Sequence, residues 1–277
     1  MRRSGMLVER LEEFFSREEE ARERNYFYVS EVAKCPRQIY YSVKGFPRPP
    51  LDGQSARRMA VGDDVHRRIV GALFSMGLAV AAEVPLPPNP LFHGRADAII
   101  SLGGENFVVE IKSVHPYQFD QAAARPRRDH YLQLQLYLHY LDVPRGIILM
   151  ENKANQALRE FLVERDEETV KRVLSQFQDL HRLIFQEGRL PPLPDKSDWE
   201  YDQCRYCPFT EFCVRDQVKP HPADPGKGVP SPASGGEADG KEGLALASDS
   251  RIGEGGKGTP TPGEKGSDTG DLPLFDL

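Results

Sequence analysis

This sequence predicts an α/β domain followed by a long disordered tail, and three observations predict it. Stretches with apolar residues at helical spacing alternate with short runs rich in valine, isoleucine and aromatics. Composition then changes abruptly near Val218, after which glycine, proline, serine and scattered charges dominate. Such a segment buries too little apolar surface to offset its ordering entropy. Finally, the four cysteines bracket the folded part, with Cys35 near its start and Cys204, Cys207 and Cys213 near its end.

Taken in order, Leu7 to Arg24 reads as a charged amphipathic helix. Ser30 reads as the N-cap of a second helix running through Cys35 to about Val43. "GFPRPPLDG" breaks the chain. A longer helix is expected from about Ser55 to Met76, with Val65, Ile69, Leu73 and Met76 at helical spacing and Gly77 as its stop. Strand-like pieces follow: "AAEVPL", "GRADAII", "NFVVEIKSV", "GIILMEN" and residues 156 to 163. Glu167 to Gln186 reads as a helix, and "RLPPLPDKSDWEYDQ" as a proline-rich approach to the cysteine cluster. The segment "YLQLQLYLHYL" is a conflict. Leu132, Leu134, Leu136 and Leu138 alternate as on a half-buried strand, whereas Gln133 and Tyr137 are neighbours on one face only if it is a helix.

No window is long and apolar enough for a signal peptide or a membrane span, so a soluble, cytoplasmic protein with no membrane partner is expected. In a reducing compartment, clustered cysteines bind metal or do redox work more often than they form disulfides. From position 218 onward the chain holds 10 acidic and 6 basic residues, so the tail carries −4 of the net charge of −6 and the folded part is close to neutral. Net charge therefore does not decide for or against nucleic acid. Arg57, Arg58, Arg67, Arg68, Arg125, Arg127 and Arg128 can still form local basic patches.

The most informative arithmetic concerns "GRADAIISLGGENFVVEIK". If Gly103 and Gly104 form a two-residue hairpin turn, which needs positive φ at both positions, paired residues sum to 207 and Asp97 faces Glu110. Directly opposed Cβ atoms lie roughly 4.5–5.5 Å apart, close enough for two carboxylates to share a hard divalent cation. Strand alternation puts Lys112 on the face of Glu110 and sends Phe107, Val109 and Ile111 to the other, toward a core. Paired carboxylates with a lysine suit metal-assisted phosphodiester hydrolysis. Mn²⁺ or Mg²⁺ on Asp97 and Glu110 would polarise the phosphate and activate water, and Lys112 would stabilise developing charge.

Asp97 followed by Glu110-Ile111-Lys112 resembles the active-site core of the PD-(D/E)XK nuclease superfamily. His66 in "VGDDVHRRI", Glu83, and the Gln133/Tyr137 pair resemble its RecB-like branch. That resemblance implies a mixed central sheet flanked by helices, His66 as a third metal ligand beside Asp97 and Glu110, and Gln133 and Tyr137 supporting the active site and contacting DNA.

Spacing alone leaves the cysteines open between a structural zinc and an iron–sulfur cluster. A distant first cysteine joined to a Cys-x2-Cys-x5-Cys cluster resembles the iron–sulfur RecB-like nucleases, which include the CRISPR-associated Cas-four exonucleases. The resemblance implies a [4Fe–4S] cluster on Cys35, Cys204, Cys207 and Cys213 that clasps the two ends of one domain. It further implies exonuclease activity on single-stranded DNA or duplex ends, with a CRISPR spacer integrase as a partner.

The organisation expected is an N-terminal helix (1–26), the nuclease domain (27–217), a disordered linker (218–270) and a short apolar terminal motif (271–277). In that motif Leu272, Leu274 and Phe275 have no core nearby and are candidate anchors for a partner's pocket. Asp271 to Phe275 resembles the bacterial sliding-clamp-binding pentapeptide, with Asp271 where that motif has glutamine. This makes clamp-recruited repair or recombination the alternative to a CRISPR role. A non-catalytic iron–sulfur DNA-binding subunit is the competing class.

Overall fold

The computed structural model describes residues 5–17, 20–195 and 202–218. The chain opens with α1 (Met6–Phe15), which is half as long as the amphipathic pattern suggests. Beyond it, Ser16 turns extended, and Arg17 and Leu51 exchange backbone hydrogen bonds of 3.1 and 2.9 Å. Glu23 is drawn into a similar bridge with Lys44. Tertiary pairing satisfies these backbone groups, so the helical pattern goes unused after its first half.

After the short strand β1 (Phe27–Tyr28) and a single 3-10 turn over Val29–Glu31, helix α2 runs Pro36–Val43 with Cys35 as its N-cap. The expected start at Ser30 is therefore wrong. Proline at the first helical position has no N–H to leave unsatisfied, and it holds the preceding residue in an extended conformation. Cys35 accordingly has φ −54° and ψ 130°. Helix α3 spans Gly53–Ser75, capped by Asp52, whose carboxylate accepts the Ser55 N–H, and Gly77 at φ 70° ends it.

The central sheet is built from β2 (Ala79–Pro85), β4 (Arg95–Leu102), β5 (Glu105–Val114), β6 (Arg145–Asn152) and β7 (Leu158–Glu164), in the order β2-β4-β5-β6-β7. A short strand β3 (Phe92–His93) pairs with β1 outside it. All neighbours in the main sheet are antiparallel except β5 and β6. That parallel pair requires a crossover, which is supplied by α4 (Pro116–Gln121) and α5 (Arg128–Tyr140). Helix α6 (Glu167–His181) continues as one π-helical turn through Gln186. The described chain ends with a 3-10 turn (Gln203–Tyr206) and α7 (Thr210–Val218).

Helices cover both sheet faces, giving two cores. Val65 and Ile69 of α3 pack on Ala98, Ile100, Phe107, Val109 and Ile111. The other face joins Val108, Ile148 and Met150 to leucines of α5 and to Val173 and Phe177 of α6. The conflict over residues 132–138 resolves as a helix. Leu132, Leu134, Gln135, Leu136, Tyr137 and Leu138 are all buried, because α5 lies between the sheet and α6. A helix enclosed on several sides needs leucines all round, which mimics strand alternation. Its close approach depends on Gly146, where a Cβ would stand 2.7 Å from the Val108 carbonyl and 2.9 Å from Leu134.

Candidate active site

The hairpin joining β4 and β5 turns at Gly103 (φ 62°) and Gly104 (φ 84°), the conformations a two-residue turn demands. Leu102 pairs with Glu105, Ile100 with Phe107 and Ala98 with Val109, so the register sums to 207 throughout. Regular pairing stops one step before Asp97 and Glu110. There the Asp97 carboxylate takes over from the ladder: its Oδ2 accepts the Ile111 N–H at 2.7 Å, and its Oδ1 lies 3.2 Å from Nδ1 of His66. His66 comes from α3, held on the sheet by Val65 and Ile69 and by Arg68, whose guanidinium reaches both oxygens of the buried Glu151 at 2.7 and 2.8 Å. The hydrogen bond to Asp97 raises the His66 pKa, although burial opposes it.

Glu110 is 2 % exposed. Its Oε1 pairs with the Lys112 ammonium at 2.6 Å, while its buried Oε2 has no hydrogen-bond partner. Burial lifts its pKa well above the usual carboxylate range, Lys112 pulls it back, and Asp97 lifts it again. Burial works to depress the Lys112 pKa, but Glu110 and Asp97 outweigh it and hold the lysine charged. Lys112 also donates to Gln133 Oε1 at 3.0 Å. Tyr137 lies one turn further along α5 from Gln133. Burial, then the Glu110 charge, keep Tyr137 protonated.

An unpaired buried carboxylate oxygen costs on the order of 1–3 kcal/mol or more. A hard divalent cation, which takes carboxylate and carbonyl oxygens, would remove that cost. The oxygens of Glu110 and Asp97 therefore suit Mn²⁺ or Mg²⁺, with His66 beside them, although these three do not already stand as a metal-holding group among the described residues.

The structure thus brings together His66, Asp97, Glu110, Lys112, Gln133 and Tyr137. Glu83 is left at the rim. Its position lies between the pairs Ala82↔Ala98 and Val84↔Ala96, yet it has φ 50° and its side chain is 59 % exposed against Arg95 at 3.1 Å. Two contributors escape sequence reasoning. Glu151 gives no local signal, being one acid at the end of an apolar strand. Asp129, gripped by Arg127 in the first turn of α5, helps keep Lys112 charged, and an acid at that position of the predicted helix was visible.

The cysteines gather at the far end of the domain. Cys35 caps α2, Cys204 lies in the 3-10 turn and Cys207 directly follows it, and Cys213 lies in α7. The Gln203 amide joins the two chain ends: Oε1 accepts the Cys35 N–H at 2.9 Å and Nε2 donates to the Ala33 carbonyl at 3.0 Å. Tyr41 donates to Asp216 at 2.9 Å, and its ring lies against Phe46, Phe209 and Phe212. All four thiols are free and half-buried. Burial raises the Cys35 and Cys207 thiols. Negative charge on Cys204 and Cys213 raises Cys35 further, and charge on the other three cysteines raises Cys207. Among the described residues, no three His, Cys, Asp or Glu side chains already stand in a metal-holding arrangement. The four thiols nevertheless crowd one region, and a thiophilic metal or cluster would remove the protons that burial favours. Asp271, Leu272, Leu274 and Phe275 lie outside the described residues. No described helix is long and apolar enough to cross a membrane.

CRISPR-associated exonuclease Cas4 from Saccharolobus solfataricus is 26% identical over 215 residues, covering 75% of this chain and 95% of that protein. The solved structure of SSO0001 shares 23% identity at a TM-score of 0.46, covering 76% of this chain and 97% of that one. The alkaline exonuclease LHK-Exo from Laribacter hongkongensis shares 13% at a TM-score of 0.42, covering 59% and 93%. The sequence profile of the PD-(D/E)XK nuclease superfamily matches residues 68–214, more than half of the chain and the stretch that holds Asp97, Glu110 and Lys112. The protein therefore belongs to the PD-(D/E)XK nuclease superfamily.

Proposed function

We propose that the protein is a metal-dependent DNA exonuclease that hydrolyses phosphodiester bonds in single-stranded DNA or at duplex ends. The observation that carries this reading is the unpaired, buried Oε2 of Glu110, beside Asp97 and within a residue pair of a charged lysine. Bound Mn²⁺ or Mg²⁺ supplies Lewis-acid polarisation of the phosphate and a lowered pKa for the attacking water. The chain's own groups do the rest. Asp97 is fixed by the Ile111 N–H, so its outer oxygen is aimed without reorganisation. Lys112, steered by Gln133, offers a positive charge to the phosphate oxygens as negative charge builds on them. Water adds to phosphorus, the P–O bond to the leaving oxygen breaks, and that oxygen takes up a proton.

We further propose a [4Fe–4S] cluster held by Cys35, Cys204, Cys207 and Cys213, with a domain of residues 27–217 clasped through it. The crowding of four free thiols where the chain ends meet supports this. Iron and sulfide analysis of anaerobically purified protein tests it. The name of the Saccharolobus relative supports a role in CRISPR spacer acquisition, trimming DNA before a spacer integrase. Recruitment to the sliding clamp through Asp271–Phe275, after a linker of residues 218–270, is the alternative.

Digestion of end-labelled single-stranded DNA with Mn²⁺, wild type beside Glu110→Gln, tests the central reading. Cleavage by the wild type alone supports it. If neither protein cuts while both keep their iron, a non-catalytic iron–sulfur DNA-binding subunit becomes the better account.

A further inference from the structure

Strand β5 ends at Val114, and α4, which begins two residues later, forms one side of a groove of about 790 Å³. The groove is lined by Tyr117, Gln118 and Gln121 of α4, by Arg125 and Arg127 of the loop that follows, and by Tyr206 from across the fold. Tyr117 is 66 % exposed and Tyr206 is 72 % exposed, although a tyrosine ring this open has most of its apolar surface in water. Among the described residues, no carboxylate lines the groove. Arg127 is tied to Asp129 in the first turn of α5, with bonds of 3.0 and 2.7 Å. None of the candidate active-site side chains lines the groove, but the two share a segment: Lys112 and Tyr117 are five positions apart, one on β5 and the other on α4 after it. In open α/β sheets, ligands lie outside the carboxyl ends of the strands.

We infer that this groove is a binding track for single-stranded DNA leading to the active site, with bases stacked on Tyr117 and Tyr206 and phosphates met by Arg125 and Arg127. The inference rests on the nuclease reading and deepens it by assigning substrate-binding residues. Exposed aromatic rings alternating with arginines are the chemistry of sequence-tolerant single-strand binding, because every base offers a π-face and every phosphate a charge. Duplex DNA keeps its bases paired and stacked inward, so the two rings give it nothing to hold. Tyr206 lies between Cys204 and Cys207, on the 3-10 turn that Gln203 ties to Cys35. One wall of the track is thus carried by the cysteine segment and the other by the crossover after β5.

The test is fluorescence-anisotropy titration of a labelled oligothymidylate and of a blunt duplex. The proteins are full-length Glu110→Gln, and the same protein carrying in addition Tyr117→Ala, Tyr206→Ala, Tyr206→Phe or Arg125→Gln. Each tyrosine-to-alanine change is expected to weaken single-strand binding ~5–150-fold, the fold-change equivalent of one stacked base. Tyr206→Phe should bind as the parent does, and duplex affinity should stay within about twofold in every variant. Arg125→Gln should lower the magnitude of the slope of log K against log salt by ~0.7, one phosphate contact on a single strand. Cross-linking of a 5-iodouracil oligonucleotide, mapped by mass spectrometry, should find Tyr117 or Tyr206. The inference is overturned if both alanine variants bind single strands within twofold of the parent and cross-links map elsewhere. If the wild type cuts single strands in that case, the nuclease reading stands and only the track is lost. If the wild type neither binds nor cuts, both are lost.

Discussion

The carboxylate site and the cysteine clasp are built in opposite ways. Asp97, Glu110 and Lys112 belong to one hairpin whose turn and register follow from two glycines, so their mutual placement is local and is held by the backbone. Cys35 and the three later cysteines are separated by most of the domain and are brought together by a few side-chain contacts. Gln203 bonds Ala33 and Cys35, Tyr41 bonds Asp216, and Phe209 and Phe212 lie against the Tyr41 ring. A local site keeps its geometry while the periphery loosens. A long-range clasp is lost with the first contact that fails, and that is where a covalent or metal link contributes most.

The comparison breaks most sharply through chemistry. Lys112→Ala should lower single-strand cleavage ~10²–10⁴-fold while leaving the protein folded and DNA affinity within a few-fold. Measuring kcat in single-turnover digests beside circular dichroism checks both halves of the statement. An unchanged rate would remove Lys112 from the reaction.

Cys35→Ser should do the reverse. Loss of a link that closes this long a loop is expected to remove ~2–4 kcal/mol in urea unfolding under anaerobic conditions. In the folded fraction the hairpin should keep its register, so single-turnover cleavage at saturating DNA should persist while loosening of the Tyr206 wall raises the DNA concentration needed. Unchanged stability would mean that the four thiols carry no shared group.

The sheet side has its own weak point at acid pH. His130 is buried beside Asp129, and burial pushes its pKa down to about 4, with the nearby Asp129 opposing. Its folded pKa lies below the unfolded value near 6.5, so the unfolded chain binds the extra proton. Stability is full above pH ~6.5 and is lost as pH falls toward ~4, by about 3 kcal/mol at ~1.36 kcal/mol per unit. Urea midpoints between those limits should slope less for His130→Gln than for the wild type. Parallel slopes would place the acid sensitivity elsewhere.

The smallest effect belongs to a single amide. Gln203→Ala leaves the Cys35 N–H and the Ala33 carbonyl unpaired, and should cost ~1–2 kcal/mol by the same unfolding measurement. It should also raise hydrogen exchange at the Cys35 amide, which a purely surface role would not do.

Much of this was legible locally. Helix α3, its stop at Gly77, the strands β2 and β4 to β7 and the 207 register all follow from short-range signals, because a tight turn and a hydrophobic period act within a few residues. The misreadings share a cause. The first helix ends at Phe15 because Arg17 finds Leu51, and α2 starts at Pro36 because proline overrides the cap that Ser30 offers. The buried ion pair of Arg68 with Glu151 links residues 83 apart and left no trace in the sequence.

By itself, then, the sequence determined which residues stand opposite one another in the hairpin, and that a lysine shares the face of Glu110. Only the tertiary structure decided what that face meets. Helix α5 closes over it, burying Glu110 with one oxygen unpaired and placing Gln133 against Lys112. Register is fixed by backbone hydrogen bonds between near neighbours. Burial, and the proton affinity it imposes, depends on a helix that begins 18 residues after Glu110.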